Sequence, residues 1–160
     1  MIGDFMKKRI IIIAIIVVLL GVGILGFILI KNNSKKEKVN DYSEITFLNI
    51  DGLKEKIDDK DSFILIISKD NCSHCISYLP VANKVAKEYG IKFYDISTTN
   101  LNDEEKTYLR NIANISGTPT TIFIINGEEK STNNRLVGEV KEYRLVEKLK
   151  AMGYIDEEDN

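Results

Sequence analysis

The chain carries two cysteines three positions apart, in the motif Cys72-Ser73-His74-Cys75, and no other cysteine among its 160 residues. A thiolate is both a nucleophile and a metal ligand, so this spacing suits thiol–disulfide exchange, part of a zinc site, or a short structural disulfide. Zinc usually takes four ligands, whereas the motif offers two cysteines and the chain's only histidine. A loop this short restrains the unfolded chain little. Redox chemistry is therefore the preferred interpretation, with no metal and no cofactor predicted, and the other two readings remain alternatives.

Hydrophobic periodicity and helix-end signals indicate the elements that must position the cysteines. Ser62 to Ser68 is a continuous apolar run typical of a buried central strand, and the cysteine motif follows it directly. A long helix is predicted from Ser73 to Tyr89, a capped helix start at Asn102, and a hairpin turn at Asn126-Gly127. Further strands are predicted over 43–48, 92–96 and 120–125, and one more strand ends at 137. Further helices are predicted over 50–58 and 141–152. The resulting order is β-α-β-α-β-α-β-β-α.

This order gives the two cysteines different roles. Cys72 lies at a helix N-terminus, where unpaired N–H groups and the positive end of the helix dipole stabilise a thiolate. Ser73 and His74 fill the motif, and His74 can add positive charge or a hydrogen bond to the site. Cys75 is one helical turn further in. We therefore predict that Cys72 is the nucleophile, that Cys75 is the resolving thiol, and that Ser73 and His74 tune the pKa of Cys72.

A C-x-x-C motif at the start of the second helix of such an order resembles the thioredoxin fold. Four further features match at family spacing: Pro80 within the helix, Gly117-Thr118-Pro119-Thr120, Asn126-Gly127-Glu128, and Val137-Gly138. The resemblance covers residues 43–152 and implies an α/β fold with a mixed sheet of four to five strands flanked by helices. It also implies that Gly117, Thr118 and Pro119 form a substrate-facing loop with a cis-proline. An ordinary trans proline in a turn is the alternative.

The motif departs from the usual family pattern in ways that bear on function. Thioredoxins have Cys-Gly-Pro-Cys, a buried acid six residues before the first cysteine, and an aromatic residue just before the motif. Here Ser73-His74 fills the gap, Ile66 stands in place of the acid, Asn71 precedes the motif, and there is no tryptophan. A histidine before the second cysteine resembles oxidases and isomerases more than reductases. With Ile66 unable to take a proton from Cys75, water or a partner group must do so.

The N-terminal region has the composition of a membrane anchor. Residues 10–30 carry no charged side chain and, as a helix, would cross about 30 Å of hydrocarbon. Lys7, Lys8 and Arg9 favour a cytoplasmic N-terminus over 1–9, with the domain outside the cell membrane. The predicted organisation is completed by a polar linker over 31–42, a domain over 43–152 and an acidic tail over 153–160. A cleaved signal peptide is the alternative, although the apolar run is longer than usual and no A-x-A-like site follows.

Charge and location together limit the partners. Residues 1–40 carry seven Lys/Arg and two Asp/Glu, and residues 41–160 carry fifteen and twenty-two, so the acidic domain lacks the electrostatic footprint for nucleic acid. The predicted function is bacterial extracytoplasmic thiol–disulfide exchange on exported proteins, as an oxidase or isomerase. A membrane or extracellular redox partner would return the cysteine pair to its active redox state. The chain also resembles the accessory proteins of bacteriocin export, and a non-enzymatic binding module of such a system is the alternative.

Overall fold

The computed structural model describes residues 42–156. Six strands, four α-helices and one short 3-10 helix follow one another along this part of the chain. In order they are β1 (Ile45–Phe47), α1 (Ile50–Asp58), β2 (Phe63–Ser68), α2 (Ser73–Tyr89), β3 (Phe93–Ser97), α3 (Asp103–Ile112), β4 (Thr120–Ile125), β5 (Glu128–Glu129), the 3-10 helix (Thr132–Asn134), β6 (Leu136–Val137) and α4 (Glu142–Ala151).

The strands form one mixed sheet in the order β1-β3-β2-β4-β5, with β6 also paired to β4. Strand β3 runs parallel to both β1 and β2, whereas β4 runs antiparallel to β2. The mixed α/β fold with flanking helices is therefore confirmed. The sheet has more strands than predicted, because the 3-10 helix Thr132–Asn134 divides the returning arm of the hairpin into β5 and β6.

The central strand explains how the helices are distributed. Every residue of β2 is buried, and alternate side chains enter two separate hydrophobic clusters. Ile64 and Ile66 pack on the face covered by α2 and α4, whereas Leu65 and Ile67 pack on the face covered by α1 and α3. Burial on both faces is what a continuous apolar run requires. The prediction of a buried central strand is confirmed, and the cysteine motif follows its end.

Local signals in the sequence set the end of helix α2 and the start of helix α3. Helix α2 ends at Tyr89 and is capped by Gly90, whose positive φ of 65° suits the left-handed cap that glycine adopts without a steric penalty. Helix α3 begins with a capping box, in which the Asn102 side chain accepts from the Glu105 N–H and the Glu105 side chain accepts from the Asn102 N–H. The capped start predicted at Asn102 is confirmed.

The N-terminal predictions fall largely outside the described residues. The segment 1–9, the anchor 10–30 and the linker up to residue 41 belong to that part of the chain, as do residues 157–160 of the tail. Across residues 42–156, none of the helices is both long enough and apolar enough to span a bilayer. At the other end, Ile155 is buried and Tyr154 stacks at a tilt on Phe123, so the chain remains packed on the core up to Ile155.

Candidate functional site

Cys72 is the N-cap residue of α2. Its Sγ accepts a hydrogen bond from the backbone N–H of Cys75 at 3.3 Å, as a capping side chain does, and the residue is partly exposed. The pKa of Cys72 is lowered, first by the hydrogen bond from the Cys75 thiol and, against desolvation, by the backbone N–H groups of Cys75 and His74 and the Thr118 side chain. The thiolate therefore has support from the helix start and from the loop opposite.

Cys75 has the opposite environment. The residue is only 2% exposed, since the first turn of α2 directs it toward the sheet. Burial is the main cause that raises the pKa of Cys75, and the hydrogen bond to Cys72 adds to it. One thiol is thus accessible and acidic while the other is buried and holds its proton. A dithiol with this asymmetry can attack through Cys72 and resolve through Cys75.

The loop before β4 lies against the Cys72 sulfur. The Thr118–Pro119 peptide bond is cis. The Cys72 thiol donates to the Thr118 carbonyl oxygen at 3.6 Å, and the Thr118 hydroxyl donates to the Cys72 sulfur at 3.7 Å. Two hydrogen bonds fix the rest of the loop. The Gly117 carbonyl accepts a hydrogen bond from the Thr120 hydroxyl, and the Pro119 carbonyl accepts one from the Gly138 N–H. The structure therefore brings Thr118 to Cys72, with Gly117 and Pro119 as its neighbours in the same loop.

The two middle residues of the motif face outward. Ser73 and His74 are both exposed, and the His74 imidazole Nδ1 lies 3.0 Å from Glu139 Oε2. The contact of His74 with Cys72 is through its backbone N–H, which helps to lower the pKa of Cys72. The imidazole is thus engaged by the segment after β6. The pKa-tuning role of Ser73 and His74 stays a prediction.

Two acidic residues near the site were not singled out from the sequence. Glu139 lies 65 positions from His74, and no local pattern joins them. Asp95 lies within β3 and is 1% exposed. The only signal for it was a carboxylate inside an otherwise apolar strand. Across residues 42–156, His, Cys, Asp and Glu side chains form no group of three or more that could hold a metal ion.

Exposed apolar side chains flank the cysteines. Ile76, directly after Cys75, is 53% exposed, and Val137 is 58% exposed. Val137 pairs with Thr120 at the start of β4, and the next residue donates its N–H to the Pro119 carbonyl. Both side chains are therefore held by the elements that carry Cys72 and the cis-proline loop. Such a surface suits contact with an unfolded or extended polypeptide.

Comparison with known proteins agrees with this geometry. The thioredoxin family profile matches residues 44–151, and the chain belongs to that family. No curated protein sequence matches the chain.

Solved structures show the same fold at low sequence identity. A thioredoxin from Aeropyrum pernix is 23% identical with a TM-score of 0.52, over 66% of this chain and 84% of that one. Thioredoxin O2 from Arabidopsis thaliana in its oxidised state is 18% identical with a TM-score of 0.54, over 71% and 97%. Thioredoxin f2 from Chlamydomonas reinhardtii is 18% identical with a TM-score of 0.54, over 68% and 95%. The protein is thus a thioredoxin-fold redox protein with Cys72 and Cys75 close together.

Proposed function

We propose that the protein is a thiol–disulfide oxidoreductase that acts on exported proteins through Cys72 and Cys75. The observation that carries this proposal is the asymmetry of the two thiols beside the cis-proline loop. Cys72 is partly exposed with a lowered pKa, and Cys75 is buried with a raised pKa. A structural disulfide would have no need of an accessible, acidic thiol.

The reaction proceeds by two exchanges. The Cys72 thiolate attacks one sulfur of a client disulfide, and the other client sulfur leaves as a thiolate. Cys75, after losing its proton, attacks the Cys72 sulfur, so that the mixed disulfide breaks and the Cys72–Cys75 disulfide forms. In the reverse direction the protein disulfide oxidises a client dithiol. Thr118 faces the sulfur from the loop opposite, where the client backbone would lie.

The proposed direction of electron flow is supported by the groups that stabilise the Cys72 thiolate. Hydrogen bonds that lower the pKa of Cys72 stabilise the reduced protein and make its disulfide more oxidising. Ser73-His74 in place of Gly-Pro and Ile66 in place of the family's acid also separate this chain from the reductases. We therefore assign the protein to the oxidase or isomerase side of the family.

The proposed place of action rests on the N-terminal composition. The apolar run 10–30, preceded by Lys7, Lys8 and Arg9, would anchor the domain in the lipid bilayer on the extracytoplasmic side. Clients would then be exported proteins, and a membrane or extracellular redox partner would restore the active form. Protease added to intact cells should remove the domain, whereas protection until the membrane is opened would refute this orientation.

A single-cysteine trap tests the activity. In Cys75→Ala the mixed disulfide with Cys72 cannot be resolved, so secreted clients should be captured in bands that disappear on reduction. The matched control is the double variant Cys72→Ala/Cys75→Ala, which keeps the surface and removes the nucleophile. Equal capture by both variants, or an empty trap with a co-purifying export component, would favour a non-enzymatic binding module.

A further inference from the structure

Asp95 holds an unusual buried carboxyl. The residue is 1% exposed, its Oδ2 accepts from the Ser68 hydroxyl at 2.9 Å, and its Oδ1 has no hydrogen-bond partner. Among residues 42–156 this is the one buried side-chain nitrogen or oxygen without a partner. An unpaired buried carboxylate is costly, and an atom left in that state calls for an explanation.

The carboxyl lies on the face of the sheet that α2 covers. Asp95 is opposite Ile66 in the parallel pairing of β3 with β2. Side chains alternate along a strand, so Asp95 shares its face with Phe93, which packs with Ile66 in the cluster beneath α2 and α4. Asp95 thus lies one strand away from the position where the family's acid would stand, and on the same face.

The end of β2 lies close to both the Asp95 carboxyl and the resolving thiol of Cys75. The Ser68 hydroxyl holds Asp95, and the backbone N–H of the next residue, Lys69, donates to the Cys75 thiol and acts to lower its pKa. Ser68, the last residue of β2, thus contacts the Asp95 carboxyl, and Lys69, the residue after it, contacts the Cys75 sulfur. Both groups are buried, so a proton that leaves Cys75 has little direct access to solvent.

The titratable groups around Asp95 come from the helix above it, the loop after β2 and the neighbouring strands. The buried titratable side chains of α2 are Cys75 and Tyr78, and the Tyr78 hydroxyl is hydrogen-bonded to Thr121 on β4. Asp70, in the loop after β2, is the nearby charge, and it raises the pKa of Asp95. On the neighbouring strand β1, the residue opposite Asp95 is Phe47, whose side chain does not titrate. Desolvation is the main cause that raises the pKa of Asp95 to about 7, and the hydrogen bond from Ser68 opposes it. Near neutral pH the carboxyl thus exists in both protonation states, as a proton acceptor must.

We propose that Asp95, held by Ser68, is the buried group that accepts the Cys75 proton when the mixed disulfide is resolved. This rests on the proposed thiol–disulfide exchange. The Cys75 S–H bond breaks and its proton passes through one intervening water to the Asp95 carboxylate, because Asp95 Oδ1 has no direct hydrogen-bond partner and the thiol is not in contact with the carboxyl. The Cys75 thiolate then attacks the Cys72 sulfur, the bond from Cys72 to the client sulfur breaks, and the client leaves as a thiolate. Electrons balance within the exchange, and in the reverse direction Asp95 returns the proton to Cys75.

Stopped-flow reaction of the reduced full-length chain with one equivalent of the aromatic disulfide reagent DTNB separates the two steps. Attack by Cys72 releases the first thionitrobenzoate, and resolution by Cys75 releases the second. The leaving group departs as a thiolate, so the Cys75 proton must go to the protein or to water. The first phase reports the proposed function itself, and its absence would refute that function independently of Asp95.

The second phase, followed against pH, tests Asp95. In the wild-type chain its rate should rise through an inflection near pH 7, and Asp95→Asn should remove that inflection and slow the phase about 100-fold at neutral pH. The first phase should be unchanged. Ser68→Ala keeps the carboxyl but removes the hydrogen bond that lowers its pKa, so the inflection should move to higher pH. A wild-type profile in Asp95→Asn, or an inflection unmoved in Ser68→Ala, would overturn the proposal.

Discussion

Replacing Asp95 with Asn should remove a loss of stability that the wild-type protein undergoes between acid and neutral pH. The carboxyl is buried beneath α2 with one oxygen unpaired, and burial raises its pKa to about 7 from the 3.8 of an exposed aspartate. Between these two values the folded chain binds a proton that the unfolded chain has released. Stability from this group is therefore fully present below pH 3.8 and is lost as the pH rises to about 7.

The size of the effect follows from the pKa difference. A gap of about 3 pKa units, at 1.36 kcal/mol per unit, corresponds to about 4 kcal/mol of destabilisation above pH 7. Asparagine cannot ionise, so this loss is absent from Asp95→Asn, while any constant cost of the amide is the same at every pH. The difference in unfolding free energy between the variant and the wild type should therefore grow by about 4 kcal/mol between pH 4 and pH 8.

Urea unfolding of the reduced full-length chain in a non-ionic detergent measures this difference. Both proteins should be unfolded at several pH values from 4 to 8, with the transition checked by two probes for two-state behaviour. Asp51→Asn, which removes the same charge from an exposed side chain on α1, is the matched control. If the difference for Asp95→Asn stays constant within about 1 kcal/mol over this range, Asp95 ionises in the folded chain as easily as in the unfolded one, and the reasoning fails.

Three further outcomes are expected. His74→Pro removes both the imidazole and the backbone N–H that supports the Cys72 thiolate, so its reduction potential against glutathione should become more negative by at least about 30 mV, which corresponds to one pKa unit. His74→Ala keeps the N–H and should shift less; an unchanged or more positive potential in His74→Pro would contradict the assignment. The double variant Ile76→Lys/Val137→Lys should lower kcat/KM for protein disulfides at least about tenfold but not for glutathione disulfide. Tyr143→Lys, which alters an equally exposed apolar residue on α4, serves as its control, and an equal loss with both substrates would rule out a client-binding surface. Glu129→Gln should lower the unfolding free energy by about 3 kcal/mol, because the largely buried Arg135 guanidinium loses a carboxylate that it contacts through two hydrogen bonds of 2.6 Å. A loss below about 1 kcal/mol would show that this ion pair is solvated.

The sequence by itself determined the features that depend on neighbours along the chain. The apolar run of β2 predicted a central strand because a strand buried on both faces is made mostly of apolar side chains. The start of α2 after Cys72, the cap at Asn102 and the turn at Asn126-Gly127 follow from local backbone preferences and hydrogen bonds. These local signals were enough to place Cys72 at a helix N-terminus and Cys75 one turn inside.

Only the tertiary structure decided which distant groups meet at the cysteines. Asp95 lies beneath α2 because the register of β3 on β2 sets it opposite Ile66, and register depends on the packing of both faces of the sheet. Thr118 reaches Cys72 across 46 positions, and Glu139 reaches His74 across 65. Hydrophobic periodicity carries no information about such pairings, since it reports which face of an element is buried and not what lies against it. The missing acid at position 66 was visible in the sequence, whereas a buried carboxyl on the next strand became visible only when the sheet was assembled.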